Sequence, residues 1–304
     1  MTTSAPPRRA ARGEALAPFA PWLFVLLWST GFIGAKYGLP HADPLVFLGV
    51  RLAIAGALLA VLARLRGSRE PLTRAGWGHA AVAGLLLHAG YLGGVFVAIS
   101  LGVPAGVSAV IVSLQPVLTA SLAAAVLGER VAPRQWLGLT LGLAGVGLVL
   151  SQGLAAAAGT AGALPFSGIM ACVVALGATT AGTLYQKRHG AKVPLLAGTA
   201  VQYAAAAGVL LAAAAATGEL SIRWTAAFTA AMVWLILALS LGAVLILLSL
   251  LRRGTAAQVS SLFYLVPPAT AVEAYLLFGE RLGALALLGL AVTAAGVALV
   301  RSVR

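Results

Sequence analysis

The chain has 304 residues, 61% of them hydrophobic and 9% charged, with a formal charge of +13 and a mean hydropathy of +1.01. A soluble domain carries roughly a quarter charged residues, so no water-soluble core could hide this much apolar surface, and lipid is the solvent that fits. The basic residues stand a few at a time between apolar segments, which excludes a nucleic-acid-binding face and fits a membrane protein oriented by its loop charges.

A spanning helix needs about 20 mostly apolar residues. In chain order that rule predicts helices near 20–38, 44–63, 77–101, 104–127 and 135–153, then 164–186, 194–217, 228–251, 255–278 and 283–300. The connectors are short, and the longest polar stretch runs from Arg64 to Arg74. The polar start, with Arg8, Arg9 and Arg12, reads as a tail and not as a cleaved signal peptide, because the first helix takes part in a repeat. Cys172 is the single cysteine, so no intramolecular disulfide forms, and the chain has no asparagine to carry an N-linked glycan.

With the N-terminus on the cytoplasmic side, sixteen Lys and Arg fall inside and only Arg223 and Arg281 outside. That bias predicts cytoplasmic N- and C-termini and an even number of crossings.

One offset of 151 residues aligns the two halves of the chain. Leu137 to Ser151 matches Leu288 to Ser302 at nine of fifteen positions, and Pro104 to Arg130 matches Thr255 to Arg281 at nine of twenty-seven. Pro116 falls on Pro267, Lys36 on Lys187, Arg51 on Gln202, and Gly128-Glu129-Arg130 on Gly279-Glu280-Arg281. Apolar composition alone does not put Pro, Glu and Arg in register. The expected architecture is therefore an all-α integral membrane protein of ten transmembrane helices, as two inverted five-helix repeats around a central cavity. Residues 1–19 form the tail, 20–153 the first repeat and 163–302 the second, which enters upside down because five is odd. Inverted repeats place a binding site near the midplane, between halves that rock to expose either side.

The same residues resemble the EamA-type transporters of the drug/metabolite transporter superfamily. The resemblance rests on Trp28-Ser29, Lys36, Phe47 through Arg51, Leu114-Gln115-Pro116-Val117 and Gly128-Glu129-Arg130, with a copy from Leu265 to Arg281. It implies ten helices around a cavity and export of small metabolites, amino acids among them, from the bacterial cytoplasmic (inner) membrane. Pro267-Pro268 departs from Pro116-Val117, so the fourth and ninth helices are not expected to be close geometric copies.

Charged groups at membrane depth are costly and mark function by default. Lys36, Arg51 and Glu273 qualify, at overlapping depth in the outer half, and either an ion pair of Glu273 with Arg51 or Lys36 or a substrate- or proton-binding role accounts for them. Glu273 is the first choice of proton carrier and His88 the second. Gln115 and Gln202 offer neutral hydrogen-bonding groups to a cavity, and Trp28, Tyr91, Tyr185, Tyr203, Trp234 and Tyr264 are candidates to line it with rings. Pro116, Pro267 and Pro268 read as gating kinks that free backbone carbonyls, among them those of Val112 and Phe263. Gly138, Gly142, Gly145 and Gly296 read as a close helix–helix contact. Glu129 and Glu280 read as favouring the positive end of the helix that follows each.

The chain lacks HExxH, GxSxG, a Walker A loop and paired intramembrane carboxylates, so no enzyme, no self-powered pump, no metal and no cofactor is expected. The expected function is a secondary transporter exporting small metabolites, amino acids first among them, by alternating access, with protons as the candidate coupling ion. A passive facilitator or channel and a drug exporter are the alternatives.

Overall fold

The computed structural model describes residues 19–66, 72–103, 108, 111–160, 165–218, 220–278 and 283–302. The tail, Arg69, Glu280, Arg281 and Arg304 lie outside them, as does the side chain of Lys36. The described residues are helical throughout apart from short turns and one bridge: α1 Ala20–Gly38, α2 Pro44–Leu65, α3 Arg74–Ser100, α4 Gln115–Leu127, α5 Pro133–Thr160, α6 Phe166–His189, α7 Leu195–Thr217, α8 Ala226–Arg253, α9 256–278 and α10 Ala284–Ser302. Among the described residues 6 helices, α2, α3, α6, α7, α8 and α10, are long and apolar enough to cross a membrane, while α1 and α4 carry shorter apolar stretches.

Local chemistry sets the helix boundaries. Thr73, Thr225 and Thr255 begin α3, α8 and α9, each accepting from a backbone N–H of the first turn, and Thr255 forms a reciprocal capping box with Gln258. Gly128 and Gly218 end α4 and α7 at φ of 70° and 76°, a left-handed conformation that costs glycine little.

Two long helices are not uniform. α3 winds as a π-helix over Leu85–Gly93 and α8 does so over Leu235–Ala243. α9 begins with Ala256–Ser260, tightens to a 3-10 turn over Ser261–Leu265 and resumes at Val266. The prolines were expected to kink helices from within. Pro116 instead lies in the first turn of α4, after a turn at Ser113-Leu114, and Pro267-Pro268 lie in the first turn of the α9 segment that starts at Val266. At Pro116 a first-turn N–H has no intrahelical bond to lose, whereas Pro267-Pro268 stand inside α9, directly after its 3-10 turn.

Polarity is distributed as a lipid solvent requires. Val174, Leu237 and Leu276 are exposed, while Ser29, Arg51, Gln115, Thr179, Gln202 and Ser240 are buried. α2 packs along α7, α3 on α6 and α7, α1 on α8 and α9, and α5 on α10. The last pair is held backbone to backbone: a Cβ on Gly296 would stand 2.5 Å from Gly142 N and 2.6 Å from Gly138 O.

Both ends of the bundle are tied by polar groups. At one end Asp43 Oδ2 accepts from Ser221 N at 2.9 Å and Arg223 donates to the Pro40 carbonyl, joining the α1–α2 and α7–α8 connections. At the other end Lys187 donates to the carbonyls of Leu251 and Gly254, and Arg252 to those of Gly190 and Val193, so cations meet the negative end of α8 and the α6–α7 connection. Glu129 caps a helix, but not the one that follows it. Its Oε2 accepts from Ala256 N at 3.0 Å, at the start of α9, because the turn after α4 delivers the carboxylate across the bundle and not along the chain.

Candidate functional site

Helices α1, α2, α3, α7 and α8 enclose a cavity of about 290 Å³. Its walls are mostly apolar, from Phe47 and Leu52 on α2 to Leu235 and Leu239 on α8, with rings from Trp28, Tyr91, Phe96 and Tyr203. Two other groups face it, Arg51 and His88, each within 5% of full burial. A second cavity of about 110 Å³ shares Trp28, Tyr91, Val95 and Ile99 with the first and reaches Gln115, Thr179 and Pro267.

Arg51 is held by its Nε, which donates to Ser240 Oγ at 3.0 Å. Ser240 lies in the π-helical stretch of α8, where i→i+5 bonding disturbs the usual pairing of carbonyls with donors. Tyr203 Oη donates to the Ser240 carbonyl at 2.5 Å, so one serine joins α2, α7 and α8 beside the cavity. His88, from the π-helical stretch of α3, meets the Tyr203 ring edge-on at 4.8 Å. Tyr203→Phe would leave that carbonyl without its side-chain donor. The expected cost is about 1–2 kcal/mol, read as a lower melting midpoint in detergent, with no change expected in the detergent-bound mass.

Trp28 stands between the cavities, edge-on to Phe263 at 5.3 Å and tilted on Phe24 at 5.2 Å. Gln115 Nε2 donates to Thr119 at 3.0 Å, to Ser260 at 3.3 Å and to Thr183 at 3.4 Å, joining α4, α6 and α9 at the break in α9. Gln202 turns away to donate to Gln186 Oε1 at 3.1 Å.

Several expected members stand elsewhere. Tyr185 bonds His79 and meets the His189 ring at a tilt, 4.4 Å between centroids, away from both cavities. Trp234 is half-exposed on the outside of the bundle, donating to Thr30 Oγ1 at 3.0 Å. Tyr264 is buried against Gly142. Glu273 is not among the described walls of either cavity: its Oε1 accepts from Ser29 Oγ at 2.5 Å and its Oε2 is buried without a hydrogen-bond partner among the described residues. The expected pair of Glu273 with Arg51 is not formed, since each bonds a hydroxyl on a different helix. Ser240 was not anticipated, and its one signal was being the lone hydroxyl in the run from Trp234 to Leu248.

The EamA-like transporter family model matches the chain over residues 19–151 and again over 166–302. Relatives include the uncharacterized transporter YvbV of Bacillus subtilis, 29% identical over 91% of this chain and 89% of that protein. The uncharacterized inner membrane transporter YedA of Escherichia coli is 32% identical over 68% of this chain and 65% of its own length. A probable amino-acid metabolite efflux pump of Salmonella typhimurium is 29% identical over 56% of this chain and 53% of that protein. A solved crystal structure superposes with a TM-score of 0.77 over 93% of this chain and 96% of that one, at 20% identity, which speaks to the fold alone. With the family model covering nearly the whole sequence, the chain belongs to the EamA-like transporter family of the drug/metabolite transporter superfamily.

Proposed function

We propose that this transporter is a secondary carrier that exports small amphipathic metabolites, amino acids among them, across a bacterial inner membrane by alternating access, with ten crossings arranged as two inverted halves. The observation that carries the reading is the cavity of about 290 Å³, whose lining comes from α1, α2 and α3 in the first half of the chain and α7 and α8 in the second. Walls drawn from two units that move against one another are what alternate exposure requires.

Several features support the inverted arrangement. The family model matches twice, at nearly the sequence offset of 151, and the π-helical stretches of α3 and α8 fall at nearly equivalent points of the two copies. The polar ties at the two ends of the bundle are hydrogen bonds, which suits gates that form and break. The loop charges support cytoplasmic termini, with the Lys187 and Arg252 ties on the inner side. Export of amino acids draws on the name of the Salmonella relative, and protons are the proposed coupling ion because Glu273 holds one carboxylate oxygen free.

The test is flux into liposomes. Saturable uptake of labelled amino acids, with counterflow from preloaded vesicles, is the expected result. Linear, non-saturable flux would replace the carrier with a passive facilitator, and uptake of cationic drugs in preference to amino acids would make it a drug exporter.

A further inference from the structure

A cation at membrane depth is expensive unless an anion or a set of hydrogen bonds compensates it. Arg51 is 5% exposed and faces the main cavity, and of its nitrogens Nε alone has a hydrogen-bond partner among the described residues. The acids among those residues are committed elsewhere: Asp43 to Ser221 N, Glu129 to Ala256 N and Glu273 to Ser29 Oγ. No acid lines either cavity in its described walls. The two terminal nitrogens of the guanidinium therefore form a fork without a protein counter-ion, on a side chain aimed by Ser240 into an otherwise apolar and aromatic chamber.

We propose that Arg51 binds the carboxylate of the transported solute, so that the solute is recognised as an organic carboxylate on an apolar or aromatic body and its amino group is not required. The planar fork matches a carboxylate through two parallel hydrogen bonds, and the ligand brings the charge that the chamber lacks. Trp28, Tyr91 and Phe96 take the apolar body. An ammonium entering the same space meets ring faces but no carboxylate, and leaves its hydration behind without an ionic partner. The assignment rests on the carrier reading and names what that carrier's site selects.

Four probes of one shape separate the groups: 3-phenylpropanoate, 3-phenylpropanamide, phenylalanine and phenethylamine, titrated into the purified full-length protein in nanodiscs. The acid and the amino acid are expected to bind within a few-fold of one another, with the amide and the amine weaker by about tenfold or more, as loss of a charge-assisted bond implies. Arg51→Gln is expected to erase the difference between acid and amide, and Arg51→Lys to restore part of it. If Arg51→Gln does not fold, the four-probe series on the unaltered protein decides the matter alone. Equal binding of acid and amide, tighter binding of the amine, or no measurable binding of the acid would each overturn the assignment. The carrier reading fails separately: acid-selective binding with no flux in liposomes upholds the carboxylate site and removes the transport, whereas saturable flux that does not distinguish acid from amide does the reverse.

Discussion

Liposomes carrying Glu273→Gln are expected to lose uphill accumulation of solute under an imposed pH gradient while still exchanging solute at equilibrium. One proton moved per solute under a one-unit pH gradient supports about tenfold accumulation, since each 1.4 kcal/mol is a factor of ten. The variant is expected to show no accumulation. The geometry motivates this. Glu273 Oε1 accepts from Ser29 on α1 at 2.5 Å, next to Trp28, whose ring lines both cavities, so movement of α1 during a cycle alters the surroundings of the carboxyl. Its second oxygen is buried without a hydrogen-bond partner among the described residues, which makes it the proposed place for a coupled proton. Gln keeps the shape and still accepts from Ser29, so a structural role alone leaves accumulation intact. Unchanged rate, accumulation and pH dependence in the variant would remove Glu273 from the mechanism and pass the proposed coupling to His88, the buried imidazole of the main cavity.

Gly296→Leu is expected to be strongly destabilising. α5 and α10 meet with no side chain between them at this point, where even a Cβ would stand 2.5 Å from Gly142 N and 2.6 Å from Gly138 O. Those atoms are backbone, so no rotamer change relieves the overlap and the two helices must part. Overpacking of this kind costs about 3 kcal/mol or more, which for a chain of this size lowers the melting midpoint by roughly 5–10 °C. Gly147→Leu is the control on α5, because a Cβ there meets nothing within 4 Å. A melting midpoint for Gly296→Leu equal to that of the control would show that α5 and α10 do not pack this way in the membrane.

The helices were legible because burial in lipid is a one-dimensional signal: runs such as Pro44–Leu65 and Ala226–Arg253 are apolar along their whole length. Close packing at Gly138, Gly142, Gly145 and Gly296 was legible for a related reason, since small residues spaced by one helical turn leave a face that a neighbouring backbone can reach. Which polar residue meets which was not legible. Sequence depth placed Arg51 and Glu273 at similar levels and left an ion pair and a binding role both open, but pairing also needs the two side chains to face each other. Here α2 turns Arg51 toward α8 and α9 turns Glu273 toward α1.

The ring candidates divide in the same way. Trp28, Tyr91 and Tyr203 reach the cavity, whereas Trp234, Tyr185 and Tyr264 face the outside of the bundle, another helix pair and a buried glycine. Rotation about the helix axis decides this. In α3 and α8 the π-helical stretches widen the winding and shift every later residue around the axis, and their apolar sequences carry no local mark of it. Composition and hydropathy therefore determined by themselves that this is a helical membrane protein and which few polar groups stand at depth, and the motifs that resemble the family pointed to a transporter. Only the tertiary structure decided that Arg51 faces a cavity with no acid among its described walls and that Glu273 bonds a serine, because helix rotation and neighbour choice follow from packing between segments far apart in the chain.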